Sequence, residues 1–177
     1  MLTVGLLWHS LSSSNLGVGA LTLSQMAIIE RAASRINKKV QFRVFGTLGD
    51  ESYGGLPNIV SICGVERNFI APWKSPFLSQ IRQCDVVLDI GEGDSFTDIY
   101  GLERYSHITG TKFATLLLGR PLILSPQTIG PFKGIITRIV ANYVMRRSKR
   151  VYARDYLSME YLNKNKVTNA DEAIDVA

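Results

Sequence analysis

Residues 85–101 read Asp85-Val86-Val87-Leu88-Asp89-Ile90-Gly91-Glu92-Gly93-Asp94-Ser95-Phe96-Thr97-Asp98-Ile99-Tyr100-Gly101. The run from Asp85 to Ile90 predicts a strand, and the Gly-x-Gly after it predicts a loop dense in carboxylates and hydroxyls, a composition that packing alone does not require. The same alternation repeats outward in both directions. Downstream, residues 105–118 read as helix, 121–125 as strand, 135–147 as helix, 150–153 as strand and 156–163 as helix. Upstream, 3–9, 40–47 and 59–62 read as strands, and 18–37 and 77–84 as helices. The spacing predicts that Leu21, Ile28, Ile29, Ala32 and Ile36 form the buried stripe of the first helix. In the helix over 135–147, Ile136, Ile139, Val140, Tyr143 and Val144 are predicted to face inward, with Arg138, Asn142 and Arg146 on the other side. Repeated strand–helix units predict an α/β fold: a Rossmann-like, doubly wound, mainly parallel sheet with helices on both faces.

A chain of 177 residues that is 46% hydrophobic buries roughly 70% of its unfolded surface and makes a core without staples. A single domain over residues 1–177 is expected, and disorder, collagen-like repeats and disulfide scaffolds are excluded. The longest apolar runs, 114–119 and 121–124, fall far short of the ~20 residues that span a bilayer. The amino terminus reads as a strand and not as a signal peptide, and Cys63 and Cys84 lack metal spacing, which places the chain in the reducing cytoplasm with no metal. The net charge of +5 is concentrated: residues 133–166 hold nine Lys or Arg against Asp155 and Glu160. Such a block is a solvated face or a patch for phosphates or anionic lipid head groups. No nucleic-acid module accompanies it, so nucleic acid is not an expected partner.

In a doubly wound sheet ligands bind beyond the carboxyl ends of the strands, so the loops there hold the candidate residues. In the first loop, residues 9–19, Asn15, Gly17 and Gly19 stand at a helix start, whose amides suit an anion or whose polar residues simply cap the helix. Its Gly spacing fits neither a dinucleotide fingerprint nor a P-loop. His9 is a ligand contact, an acid/base group or a structural histidine. In the second loop Gly91 and Gly93 let amides approach a substrate oxygen, Asp94 and Ser95 can bond sugar hydroxyls, and Glu92 or Asp94 can act as a base. The same carboxylates can bind a divalent ion or cap a helix. In the third, residues 125–133, Gln127 and Thr128 are set between Pro126 and Pro131 for polar recognition or for turn chemistry. In the fourth, Arg154 is placed to meet an anion or to pair with a loop carboxylate, and Asp155 to cap the next helix.

Taken in order, Asn15-Leu16-Gly17-Val18-Gly19-Ala20-Leu21, Asp89-Ile90-Gly91-Glu92-Gly93-Asp94-Ser95-Phe96, Pro126-Gln127-Thr128-Ile129-Gly130-Pro131 and Ala153-Arg154-Asp155 with Ser158 resemble the amino-terminal half of the polysaccharide pyruvyl transferase family. The resemblance covers nearly the whole chain. It implies the N-terminal domain of a GT-B-type, two-domain transferase acting in the cytoplasm, peripheral to the inner membrane surface. Such enzymes move a pyruvyl group from phosphoenolpyruvate, a co-substrate and not a cofactor, onto a sugar of a cell-surface polysaccharide or its lipid-linked precursor. Where many relatives carry Asp, this chain has Val18, so a carboxylate role there is absent.

The resemblance further implies that the general acid and most donor-binding cations belong to a second domain or chain, which leaves Asp94, Glu92 and His9 as local acid/base candidates. It leaves Arg154 as the donor-binding cation of this half. The implied chemistry is protonation of the enol carbon, attack of a sugar hydroxyl on the oxocarbenium-like centre, and a second attack that expels phosphate. On this reading the 177-residue chain alone is inactive, its loops orient the acceptor sugar, and the surface bearing Arg138, Arg146, Arg147, Lys149 and Arg150 rests on an anionic membrane. The alternative readings are half of a nucleotide-sugar glycosyltransferase and a non-catalytic sugar- or anion-binding module.

Overall fold

Period-two alternation along each strand sorts the apolar side chains onto two sides of one sheet. A computed structural model describes residues 1–12, 15–49, 56, 58–65 and 76–176. In chain order the elements are β1 (Leu2–Leu7), α1 (Leu16–Arg35), β2 (Val40–Gly46), β3 (Ile59–Gly64), α2 (Pro76–Ile81), β4 (Val86–Asp89), a 3-10 turn (Gly91–Gly93), β5 (Ser95–Phe96) and α3 (Leu102–Leu117). There follow β6 (Leu122–Ile129), α4 (Ile135–Arg147), β7 (Arg150–Ala153), α5 (Tyr156–Lys164) and β8 (Ala170–Glu172). The sheet runs β3-β2-β1-β4-β6-β7-β8, and β5 pairs with β6 beside it. Every described pairing is parallel. Val4, Leu6, Phe42 and Val44 pack with Met26 and Ala33 of α1 on one side. Leu7, Phe45, Val87, Leu122, Leu124 and Val151 pack with α2 to α5 on the other. The fold is therefore the doubly wound α/β arrangement that the strand–helix alternation implies. No helix among the described residues is long and apolar enough to cross a membrane.

The strand order reverses between β1 and β4. Chain connections leave these two neighbours in opposite directions, so the loops beyond their carboxyl ends open a crevice at the switch point. Hydrogen bonds knit that edge together. Ser10 Oγ donates to the Thr47 carbonyl at 3.0 Å, and Thr47 Oγ1 donates to Glu92 at 2.6 Å. The Gly130 amide donates to the Phe96 carbonyl at 2.8 Å. The loops after β1, β2, β4 and β6 thus form one connected rim.

Both helix faces predicted from periodicity differ from the observed ones. In α1 the buried residues are Val18, Gly19, Thr22, Gln25, Met26 and Ala33, whereas Ile28 and Ile36 of the predicted stripe are exposed. The helix packs on β1 and β2, and an open groove of about 730 Å³ separates its other flank from β4, β6 and β7. In α4 the buried residues are Thr137, Ala141, Val144 and Met145, while Ile136, Ile139 and Tyr143 are exposed. That helix carries apolar side chains around most of its circumference, so periodicity alone does not set its rotation. Two contacts set it: Tyr105 Oη donates to the Thr137 carbonyl at 2.6 Å, and Thr137 Oγ1 donates to Asp98. The small Ala141 then allows close approach to the sheet.

Two further corrections bear on the site. Residues 126–129, predicted as loop beyond the strand over 121–125, continue β6, with Pro126 at a register irregularity where its missing N–H costs no ladder bond. Short β5 and β8 escaped prediction because two or three residues carry no usable period. Of the first predicted loop, Ser13 and Ser14 lie outside the described residues.

Candidate functional site

The turn after β4 is built on a buried ion pair. Asp89 and Lys112 are both fully buried, and Lys112 Nζ lies 2.9 and 3.0 Å from the two carboxylate oxygens. The ammonium also sits 4.7 Å from the centre of the Phe96 ring, a cation–π geometry. Burial pulls Lys112 below the ordinary lysine range, and Asp89 opposes that pull. The remaining acceptor capacity of Asp89 is taken by the Gly91 amide at 3.1 Å and the Gln127 side-chain amide at 3.4 Å. Gln127 Nε2 also reaches the Asp89 and Ser125 carbonyls, both at 3.2 Å. Gly91 has φ of +59°, and a Cβ there would stand 2.5 Å from Gln127 Oε1. Only glycine fits, and Gly91 and Gln127 are placed as a matched pair beneath the turn.

Above this root, charged groups emerge half exposed. Arg104 of α3 lies 3.6 Å from Glu92 and 3.5 Å from Asp94, and stacks over Tyr100 at 5.4 Å. Tyr100 Oη donates to Asp94 at 3.2 Å, and Ser95 Oγ donates to Asp94 at 3.4 Å. The result is a patch of two carboxylates, a guanidinium and two hydroxyls on the rim of the crevice, with Gly93 packed against Val18 and Leu21 of α1. Asp98 has a different task. It accepts from the Lys133 and Gly134 amides at 2.8 and 2.9 Å and so caps α4 across the sheet edge.

Burial alone would raise the Asp98 carboxyl, but the bonds from Thr137, Gly134 and Lys133 outweigh it and hold the group below the usual carboxylate range. A depressed folded-state value means that this contribution is complete above about pH 4 and is lost as pH falls through the folded value. Asp98→Ala is expected to lower stability by about 1 kcal/mol at neutral pH. Its urea midpoint should converge on that of the parent in acid; an equal gap at every pH would contradict the cap.

The other predicted residues are placed as follows. His9 is fully buried, with Nδ1 3.0 Å from the Leu7 carbonyl and no partner on Nε2 among the described residues. Burial, partly countered by that backbone contact, lowers its pKa to about 3, so the ring is neutral at pH 7. Asn15 caps α1: its side chain accepts from the Gly17 amide at 3.0 Å, and its carbonyl accepts from Val18 and Gly19. Register sets Ser95 beside Thr128, which joins the second and third loops. Thr128 Oγ1 receives Arg154 Nε at 2.8 Å and donates to Asp155 at 3.0 Å. Arg154 also meets Asp175 at 3.3 Å. Burial would raise Asp155, but bonds from the Ser158 amide and hydroxyl, from Thr128, and the charge of Arg154 bring it below the usual range.

A recess of about 570 Å³ opens beside this second group, lined by Thr128, Gly130, Asp155, Ser158, Tyr161 and Lys164. The structure therefore makes two neighbouring clusters, one around Gly91, Glu92, Asp94 and Gln127, the other around Thr128 and Arg154, with His9 beneath the surface. Among the described residues no group of three or more His, Cys, Asp or Glu is placed to hold a metal ion. Sequence reasoning missed Lys112 and Arg104. Lys112 had a signal: it stands among Thr109, Thr111 and Thr115 on the inner side of α3, where a lysine needs a buried partner. Arg104 resembles any exposed helical arginine, and only the fold brings it over the turn.

The sequence is similar to known proteins. The amylovoran biosynthesis protein AmsJ of Erwinia amylovora is 27% identical over 106 residues, which are 59% of this chain and 24% of that protein. The family model described as polysaccharide pyruvyl transferase matches residues 15–177 and so takes in both clusters. On that match, the chain belongs to the polysaccharide pyruvyl transferase family.

Proposed function

We propose that this chain supplies the acceptor-binding half of an enzyme that transfers a pyruvyl group from phosphoenolpyruvate to a sugar, forming a ketal on a cell-surface polysaccharide or its lipid-linked precursor. The observation that carries the reading is the half-exposed set of Glu92, Asp94 and Arg104 at the switch point between β1 and β4, in a chain of a polysaccharide-modifying family. Carboxylates accept from sugar hydroxyls, the guanidinium donates to ring and hydroxyl oxygens, and the Asp89–Lys112 root holds the turn still. Orienting two hydroxyls of one sugar is what ketal formation asks of an acceptor site, since both must reach the same carbon in turn.

The enol carbon of the donor must first gain a proton. Neither histidine of this chain stands on the rim as an acid: His9 is buried and neutral, and His107 packs edge-on against Trp8 at 5.0 Å. This supports a proton donor on a second domain or chain, in a GT-B-like pairing of two halves on the cytoplasmic side. Arg154 is the donor-facing cation of this half, with Asp175 its partner until the anion arrives.

Titration calorimetry tests the reading. The chain is expected to bind a saccharide fragment of the acceptor, to ignore nucleotide sugars, and to release no phosphate from phosphoenolpyruvate on its own. Asp94→Asn and Glu92→Gln are each expected to weaken saccharide binding about tenfold. Tight nucleotide-sugar binding without any response to saccharide would refute the proposal.

A further inference from the structure

The outer surface of α3 and α4 is apolar where a helix pair on a water-exposed face is ordinarily polar. Ile136 is 77% exposed, Ile139 62% and Leu117 70%, and Ile135, Tyr143 and Phe113 are exposed beside them. Phe113 and Tyr143 touch across the two helices, ring centres 5.9 Å apart, so the stripes merge into one face. Cations surround it. Arg138, Arg147 and Lys149 form no ion pair among the described residues. Arg146 donates to the Asn165 carbonyl at 2.6 Å and keeps its charge exposed. Arg150 is paired with Asp171 at 3.4 Å and contributes less. At the carboxyl ends of the two helices, Arg120, Arg147 and Lys149 line a recess of about 280 Å³ together with Leu116, Gly119 and Pro121, and no carboxylate lines it.

We infer that this face of α3 and α4 docks on an anionic lipid surface, with the isoleucines, Leu117 and the two rings set among the acyl chains near the head groups. In this pose Arg138, Arg146, Arg147 and Lys149 lie at phosphate level, and the Arg120 recess takes a lipid phosphate. Charge selects this occupant. A second copy docked through the same face would bring unpaired cations against cations, and nucleic acid would leave the isoleucines without an apolar partner. An apolar centre rimmed by Lys and Arg is the pattern of helices that lie in the membrane interface. Because α4 starts just after the carboxyl end of β6, docking along α4 leaves the switch-point crevice at the edge of the membrane plane. Access to a lipid-linked sugar would follow, a consequence that rests on the function proposed above, whereas the docking itself does not.

Flotation of the 177-residue chain with vesicles tests it. The chain should float with equimolar phosphatidylcholine and phosphatidylglycerol, stay behind with phosphatidylcholine alone, and be released as salt shortens the screening length. Arg147→Glu with Lys149→Glu should lower partitioning at least about tenfold. Ile136→Ser with Ile139→Ser should lower it comparably while leaving the thermal midpoint within a degree or two, since both side chains are already in water. Lys38→Glu with Lys39→Glu, the same charge change on an exposed distant site, should leave flotation as in the parent. The inference is overturned if the chain ignores phosphatidylglycerol, if the Lys38/Lys39 variant loses as much, or if the isoleucine variant floats like the parent. It is equally overturned if that variant instead dissolves a dimer seen by light scattering.

Discussion

Lys112→Met is expected to lower the unfolding free energy by about 3–5 kcal/mol, the range seen when one member of a buried ion pair is removed and the other is left without compensation. Asp89 has no water to turn to, being fully buried, and keeps only the amides of Gly91 and Gln127. Asp89→Asn should cost a similar amount, because the ammonium of Lys112 then loses its counter-charge. The double variant Asp89→Asn with Lys112→Met should cost distinctly less than the two singles together, since no stranded charge remains. Urea unfolding with linear extrapolation measures all three. A loss under about 1 kcal/mol for either single would show that the pair is dispensable, and strict additivity would show that the partners do not act as a unit.

Gly46→Ala is expected to cost about 3 kcal/mol, at the upper end for forcing atoms into a packed interior. A Cβ at this position would stand 2.1 Å from the carbonyl oxygen of His9 and 3.0 Å from its carbonyl carbon. Both are backbone atoms, so no side chain can swing away, and the ends of β1 and β2 must separate instead. The same movement would stretch the Ser10–Thr47 and Thr47–Glu92 bonds. Gly46→Ala should therefore weaken saccharide binding as well as stability, although residue 46 lies beneath the rim. A midpoint shift below the equivalent of about 1 kcal/mol in urea unfolding would contradict the close approach.

The two stretches that define the fold were legible for different reasons. Residues 85–90 read as strand because a β-branched run ends abruptly in Gly-x-Gly, and α4 was bounded at Ile135–Arg147 because glycine and proline precede it and a basic last turn closes it. The rotation of α4 was not legible. Ile136, Ile139 and Tyr143 satisfy helical periodicity as well as Thr137, Ala141 and Val144 do, and only tertiary contacts through Tyr105 and Asp98 decide between the two stripes. The site divides in the same way. Gly91, Gln127 and the rim carboxylates announced themselves by glycine placement and by polar density after a strand. Lys112 and Arg104 come from a helix 10 to 23 residues beyond their partners Asp94, Glu92 and Asp89, and that contact exists only once α3 folds back over β4.

The acceptor role of the switch-point rim is open to direct mapping. In a titration of the isotopically labelled chain with an acceptor saccharide, amide shifts are expected at residues 91–95, at Arg104 and at residues 127–130, saturating together with one dissociation constant. Shifts confined to the α1 groove, or none on saturation with saccharide while a nucleotide sugar perturbs the same amides, would contradict it.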